Sequence, residues 1–213
     1  MGMGKDNDWA LLAPWEDTSY MRDVLTMQLA RGGHSFAPHM KYCEVFVDGY
    51  YYGVYIMSER ATKGKTRLNL DDPTADDLTG DFHVEIDRKD EEHYYVSKHH
   101  PVSASGVEYT DSTVAYQYKE PEYDDFADLP AGTQDAVDNA IATMEDAFAS
   151  ADYKGENGYR KYIDVESFID FQIAQEMAGN VDAYRLSSPL YKYSETHARS
   201  EERRVGKECR SRW

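Results

Sequence analysis

Apolar residues recur at Met21, Val24, Leu25 and Leu29, the three-and-four spacing that marks one face of a helix. Thr18 or Ser19 can offer a side-chain oxygen to the first turn and Gly32-Gly33 a stop, so the pattern predicts an amphipathic helix through Arg31. The period then falls to two. Residues 42–47 (YCEVFV) and 50–58 (YYYGVYIMS) are β-branched and aromatic runs on either side of Asp48-Gly49, a dipeptide suited to a type I′ turn, and a hairpin is expected. Residues 82–87 (FHVEID) alternate as a strand does, and shorter strands are expected at 94–98 and 114–119. Between hairpin and strands lie a basic loop, 62–67 (TKGKTR), and a Pro/Gly/Asp-rich connection, 71–81.

Past an acidic, proline-bounded linker at 120–130 the period becomes 3.6. Val137, Ile141, Met144 and Phe148 mark a helix over about 130–150. Asp164 caps a second helix, with Phe168, Ile169, Ile173 and Met177 as its stripe and Gly179 as its end. A loop at 180–188 (NVDAYRLSS) and a short strand at 189–193 follow. The pattern gives an α+β chain with a strand-rich part, 1–125, and a helical part, 126–198.

Charge narrows the partners. With 40 acidic and 23 basic side chains in 213 residues the chain carries −17, which opposes the clustered-cation chemistry of nucleic-acid or anionic-lipid binding. No run approaches the roughly 20 apolar residues of a membrane span, and residues 1–10 lack the apolar core of a signal peptide. Cys43 and Cys209 are too few for a disulfide framework. The acidic runs 71–72, 76–77, 90–92 and 124–125 lack calcium-loop spacing, and His83, His93, His99 and His100 fit no zinc motif. Tyr50-Tyr51-Tyr52 reads as strand packing rather than a carbohydrate platform.

The last fifteen residues, 199–213 (RSEERRVGKECRSRW), depart from this composition, with six basic side chains against three acidic ones. They resemble the translation of a sequencing adapter. They are expected to be non-native and to make few contacts with the body, and the chain is expected to be incomplete at both ends.

Asn180-Val-Asp182-Ala-Tyr-Arg-Leu-Ser187, at the exit of an apolar-faced helix and just before a strand, carries the clearest chemistry. Protein kinases place an Asp there to orient and deprotonate the attacking hydroxyl, with a polar residue five positions on helping to hold a metal ion. Asn and Asp after a helix-stopping Gly are also ordinary turn formers. Glu59, Lys63, Lys65 and Arg67 gather charge after the hairpin, where phosphates could be bound or where a loop is simply solvated. Arg22 reads either as a phosphate clamp or as a surface arginine.

Several segments in order resemble the spore-coat kinase (CotH) family of atypical protein kinases. They are Asp8-Trp-Ala-Leu-Leu-Ala13 with Met21-Arg22 and Leu25, and Glu44-Val-Phe-Val-Asp-Gly49 with Gly53-Val-Tyr-Ile-Met-Ser-Glu59. Gly64, Arg67 and Glu85-Ile-Asp-Arg88 follow, then Tyr162-Ile-Asp-Val-Glu-Ser-Phe-Ile-Asp170 leading to Glu176, Asn180 and Asp182. The resemblance implies a divergent kinase-like fold with its cleft between the two parts, and transfer of the ATP γ-phosphoryl group to protein Ser or Thr with Mg²⁺ or Mn²⁺. It implies Asp182 and Asn180 as catalytic residues, Glu59, Arg67, Arg22 and Lys63 at the nucleotide, and Asp182 with Ser187 at the metal. A cell- or spore-surface location is implied too, while oligomeric state is left open. Departures are Ser187 where kinases carry Asn, Asp23 where the family has Asn, and the adapter-like tail where a Trp-Asp-x-Asp metal strand is expected. A non-catalytic surface module and nucleotidyl transfer on the same scaffold remain alternatives.

Overall fold

The structure, a computed structural model, describes residues 3–33, 36–89, 93–103 and 105–193 and the backbone of 205–207. The acidic run at 90–92 and Cys209 lie outside the described residues. Two antiparallel sheets carry the fold. The first has the order β1-β3-β2, from β1 (Trp9–Leu12), β2 (Met40–Val47) and β3 (Tyr50–Glu59). The second has the order β5-β6-β4-β7-β8, from β4 (Phe82–Ile86), β5 (Tyr94–Val96), β6 (Ala115–Glu120), β7 (Ser188–Lys192) and β8 (Val205–Lys207). The helices are α1 (Arg22–Ala30), α2 (Thr133–Ala149) and α3 (Val165–Ala178).

The hairpin forms as expected, with Asp48 and Gly49 both at positive φ, 52° and 84°, as a type I′ turn requires. The four-residue β1 had no counterpart in the sequence pattern, being too short to show alternation. It pairs along β3 and sets Trp9 opposite Glu59. In the second sheet the pleat sends Phe82, Val84, Tyr116, Tyr118 and Leu190 to one face, where Val137, Ile141 and Met144 of α2 close the main core. β7, from the chain's helical part, pairs with β4, from its strand-rich part, aligning Ile86 with Ser188.

Four expectations are corrected. On α1 the buried side chains are Asp23, Met27 and Ala30, while Met21, Leu25 and Leu29 are more than half exposed. On α3, Ser167, Phe171 and Gln175 are buried and Ile169, Ile173 and Met177 face outward. Both helices carry a second set at the same spacing, and α1 packs on α3 through Met27, Ala30 and Phe171. The α1 cap is also displaced: the Asp17 carboxylate accepts from the Arg22 N–H (2.9 Å) and from the Ser19 hydroxyl (2.6 Å). The fourth correction concerns the contacts of the tail. Val205–Lys207 pair with β7 and lengthen the sheet, because an open strand edge takes an extended segment through backbone groups alone.

Candidate functional site

α3 delivers the loop that holds Asp182. Its start is fixed by Asp164, whose carboxylate accepts the Glu166 N–H (3.1 Å), and its end by Gly179 at φ 62°, the left-handed C-cap that costs glycine little. Asn180 then locks the turn: its Nδ2 donates to the buried Gln175 Oε1 (2.7 Å) and its Oδ1 accepts the Asp182 N–H (3.1 Å). The Tyr184 hydroxyl donates to Glu176 (3.0 Å), and its ring meets Phe171 edge-on at 5.9 Å. Burial, reinforced by the Glu176 charge, pushes that phenol up to about 12. Tyr184 and Ser187 both stand at positive φ, 72° and 46°, which L residues adopt at a cost of roughly 1–3 kcal/mol each. Such strain persists where surrounding contacts over-determine the backbone.

At the far end of the loop the buried Ser187 donates its hydroxyl to Asp87 Oδ2 (3.0 Å), tying the loop to the exit of β4. The Asp182 side chain is 28% exposed, and Arg185 Nη2 donates to its Oδ1 at 2.9 Å. Ser187 therefore addresses Asp87, and the paired oxygen of Asp182 addresses Arg185.

Glu59 and Arg67 meet elsewhere, in a buried pair. Arg67 Nη1 stands 2.5 Å from Glu59 Oε1, with their side chains 0% and 1% exposed, and the guanidinium lies 4.7 Å from the Trp9 ring centre. His39 donates its backbone N–H (2.9 Å) to Glu59 Oε2, its Nδ1 is 2.8 Å from the same oxygen, and the Gly4 N–H reaches Oε1 at 3.3 Å. Burial alone would raise the Glu59 carboxyl; the His39 hydrogen bonds and the Arg67 charge outweigh it and leave it below its ordinary value. Among the described residues Arg67 Nε and Nη2 find no hydrogen-bond acceptor. Lys63 pairs instead with Asp72 and donates its backbone N–H to Glu120 (3.2 Å). Arg22, 58% exposed in its side chain, lies 3.8 Å from Asp17.

The face of the second sheet opposite the main core is polar yet buried, a feature sequence reasoning missed. Alternation puts His83 and Glu85 of β4 there with Gln117 of β6, each at most 5% exposed. Lys119 Nζ donates to Gln117 Oε1 (2.7 Å) and lies 3.8 Å from Glu85 Oε2, while Gln117 Nε2 donates to the Arg88 carbonyl (2.9 Å). Tyr191, opposite His83 on β7, packs with Ala61, Leu68 and Leu70, so the segment that carries Arg67 covers this face. The sequence signal was the polar alternation FHVEID and YQYK. It reads equally well as a solvated strand face.

The site residues thus form three local units: Asn180 with Asp182, Ser187 with Asp87, and Glu59 with Arg67. Among the described residues no three His, Cys, Asp or Glu side chains converge as a cation site. Asp182 and Ser187 have different partners, Arg185 and Asp87. Neither of two cavities, one of about 630 Å³ and one of about 110 Å³, is lined by Asp182, Glu59 or Arg67. In comparisons with known proteins, the family model described as CotH kinase protein matches residues 1–202. No curated protein matches the chain.

Proposed function

The chain belongs to the CotH kinase family, and from that premise we propose that it transfers the γ-phosphoryl group of ATP, carried as its Mg²⁺ or Mn²⁺ complex, to Ser or Thr hydroxyls of a protein. The observation that carries this reading is the loop holding Asp182, locked at one end by Asn180 on Gln175 and at the other by Ser187 on Asp87. Phosphoryl transfer depends on positioning and charge neutralisation more than on covalent chemistry, and a carboxylate held on a fixed loop suits that demand. Asp182 accepts the hydrogen of the attacking hydroxyl and orients its oxygen. Asn180 is a positioning residue that holds the Asp182 backbone. Glu59 and Arg67 keep the 61–70 segment in place over the polar sheet face, where Lys119 contributes a cation beside Glu85. A cell- or spore-surface setting goes with this proposal.

The test is transfer from γ-labelled ATP to a Ser/Thr-containing acceptor protein. Asp182→Asn is expected to lower turnover by about 10²–10⁴-fold, the range of a lost general base, with ATP affinity little changed. Undiminished transfer in that variant removes Asp182 from the mechanism. Label arriving from the α-phosphate identifies nucleotidyl transfer, and no transfer from either position overturns the proposal for this chain.

A further inference from the structure

The larger cavity lies on the opposite side of the second sheet from Glu85 and Lys119. Its floor is Ile86, Tyr116 and Leu190, and α2 and α3 supply Met144, Phe148 and Phe168. At about 630 Å³ it falls in the size range of small-molecule sites. Two carboxylates also line it, the half-buried Glu145 and the exposed Glu108, together with His99 and His100. Glu145 takes one hydrogen bond on each oxygen, from the Tyr116 hydroxyl (2.8 Å) and from the Ser97 hydroxyl (2.7 Å). Both donors are neutral, and among the described residues no basic side chain pairs with Glu145 or Glu108.

The nearby basic side chains are engaged elsewhere. Lys98 and His99 both hold Asp146, each at 2.7 Å, and His100 Nδ1 lies 2.7 Å from the Ser112 carbonyl. The negative field is felt by the adjacent phenols: burial first, then Glu145, raises both Tyr95 and Tyr116. A carboxylate against apolar walls without a counter-charge is costly, and an incoming cation removes that cost. An anion meets repulsion from both glutamates, which separates this cavity chemically from any site for ATP.

We propose that this cavity binds a small organic cation, a protonated primary amine on an aliphatic or aromatic body, with the ammonium on Glu145 and the body against Phe148, Phe168 and Met144. The inference is independent of phosphoryl transfer, since it rests on the other face of the sheet and is read by binding alone. The probes are phenethylamine, its neutral analogue phenethyl alcohol and its anionic analogue hydrocinnamate, titrated calorimetrically into the full chain. The amine is expected to bind at least about tenfold more tightly than the alcohol, as a charge-assisted contact at a partly buried carboxylate provides, and the acid not at all. Glu145→Gln should reduce amine binding to the level of the alcohol. Because that change also touches Tyr116 and Ser97, a second variant fills the cavity from its exposed edge: Ala149→Trp should block the amine and leave the melting temperature unchanged. Failure of the amine to bind, equal binding of amine and alcohol, or amine binding that survives Ala149→Trp overturns the proposal.

Discussion

Glu59 has 1% of its side chain exposed and is held by Arg67, by two nitrogens of His39 and by the Gly4 N–H, whereas Asp182 keeps 28% of its side chain open and, among the described residues, pairs with Arg185 alone of the charged groups. Both are carboxylates in a stretch that invites a functional reading. The difference is one of commitment: every oxygen lone pair that Glu59 can use is spent inside the fold, while Asp182 retains an oxygen that can meet another molecule. The loop below Asp182 is rigid through Asn180 and Ser187 so that the carboxylate itself need not be. At Glu59 the carboxylate itself supplies the rigidity.

This contrast breaks most readily at Arg67. Arg67→Ala leaves Glu59 charged and buried without its counter-ion, and stability to urea should fall by about 3–5 kcal/mol. A loss under about 1 kcal/mol would mean that the pair is not the structural element described here. A smaller effect is expected from acid. The native Glu59 carboxyl lies below its ordinary value of 4.5, so its contribution is complete above about that pH and drains away as the pH falls through the lowered native value. Glu59→Gln removes the titration. The stability difference between wild type and this variant, measured between about pH 3 and pH 7, should therefore be largest near neutrality and shrink toward the acid end. A difference that stays constant or grows on acidification contradicts the assignment. The least effect is expected at Asp182: Asp182→Asn should change unfolding stability by no more than about 0.5 kcal/mol, as for a partly exposed position outside the core. A larger loss would place Asp182 with Glu59 as a structural group.

The elements that were legible in the sequence had local causes. Asp48-Gly49 fixes the hairpin turn through the backbone conformations those residues accept, and Asp164 and Gly179 bracket α3 through a cap and a left-handed stop. The stripe of α2 was legible at Val137, Ile141 and Met144, which are buried, but not at its expected fourth member: Phe148 is 43% exposed, and its neighbour Ala147 takes the buried position. On α1 and α3 two sets share one spacing, and which set is buried depends on the neighbouring helix. Periodicity carries no record of that. The same limit applies to the site. The loop of Asp182 could be placed from a helix stop and a following strand. The pairing of Ser187 with Asp87 spans a hundred residues and arises from the β4–β7 register. The buried polar face of His83, Glu85 and Gln117 follows from the segment that covers it, and an alternating strand looks the same whether its polar side meets water or protein.

The pairing of β7 with Val205–Lys207 has a practical corollary. A strand edge that recruits its neighbour by backbone geometry behaves as a socket, indifferent to much of the side-chain identity of what plugs into it. A short extended peptide supplied in trans would compete for that socket, and a tag attached there would be drawn into the sheet rather than trail from it. The same property makes the edge a natural break point for a two-piece version of the protein, reassembled when the missing strand is returned as a separate chain.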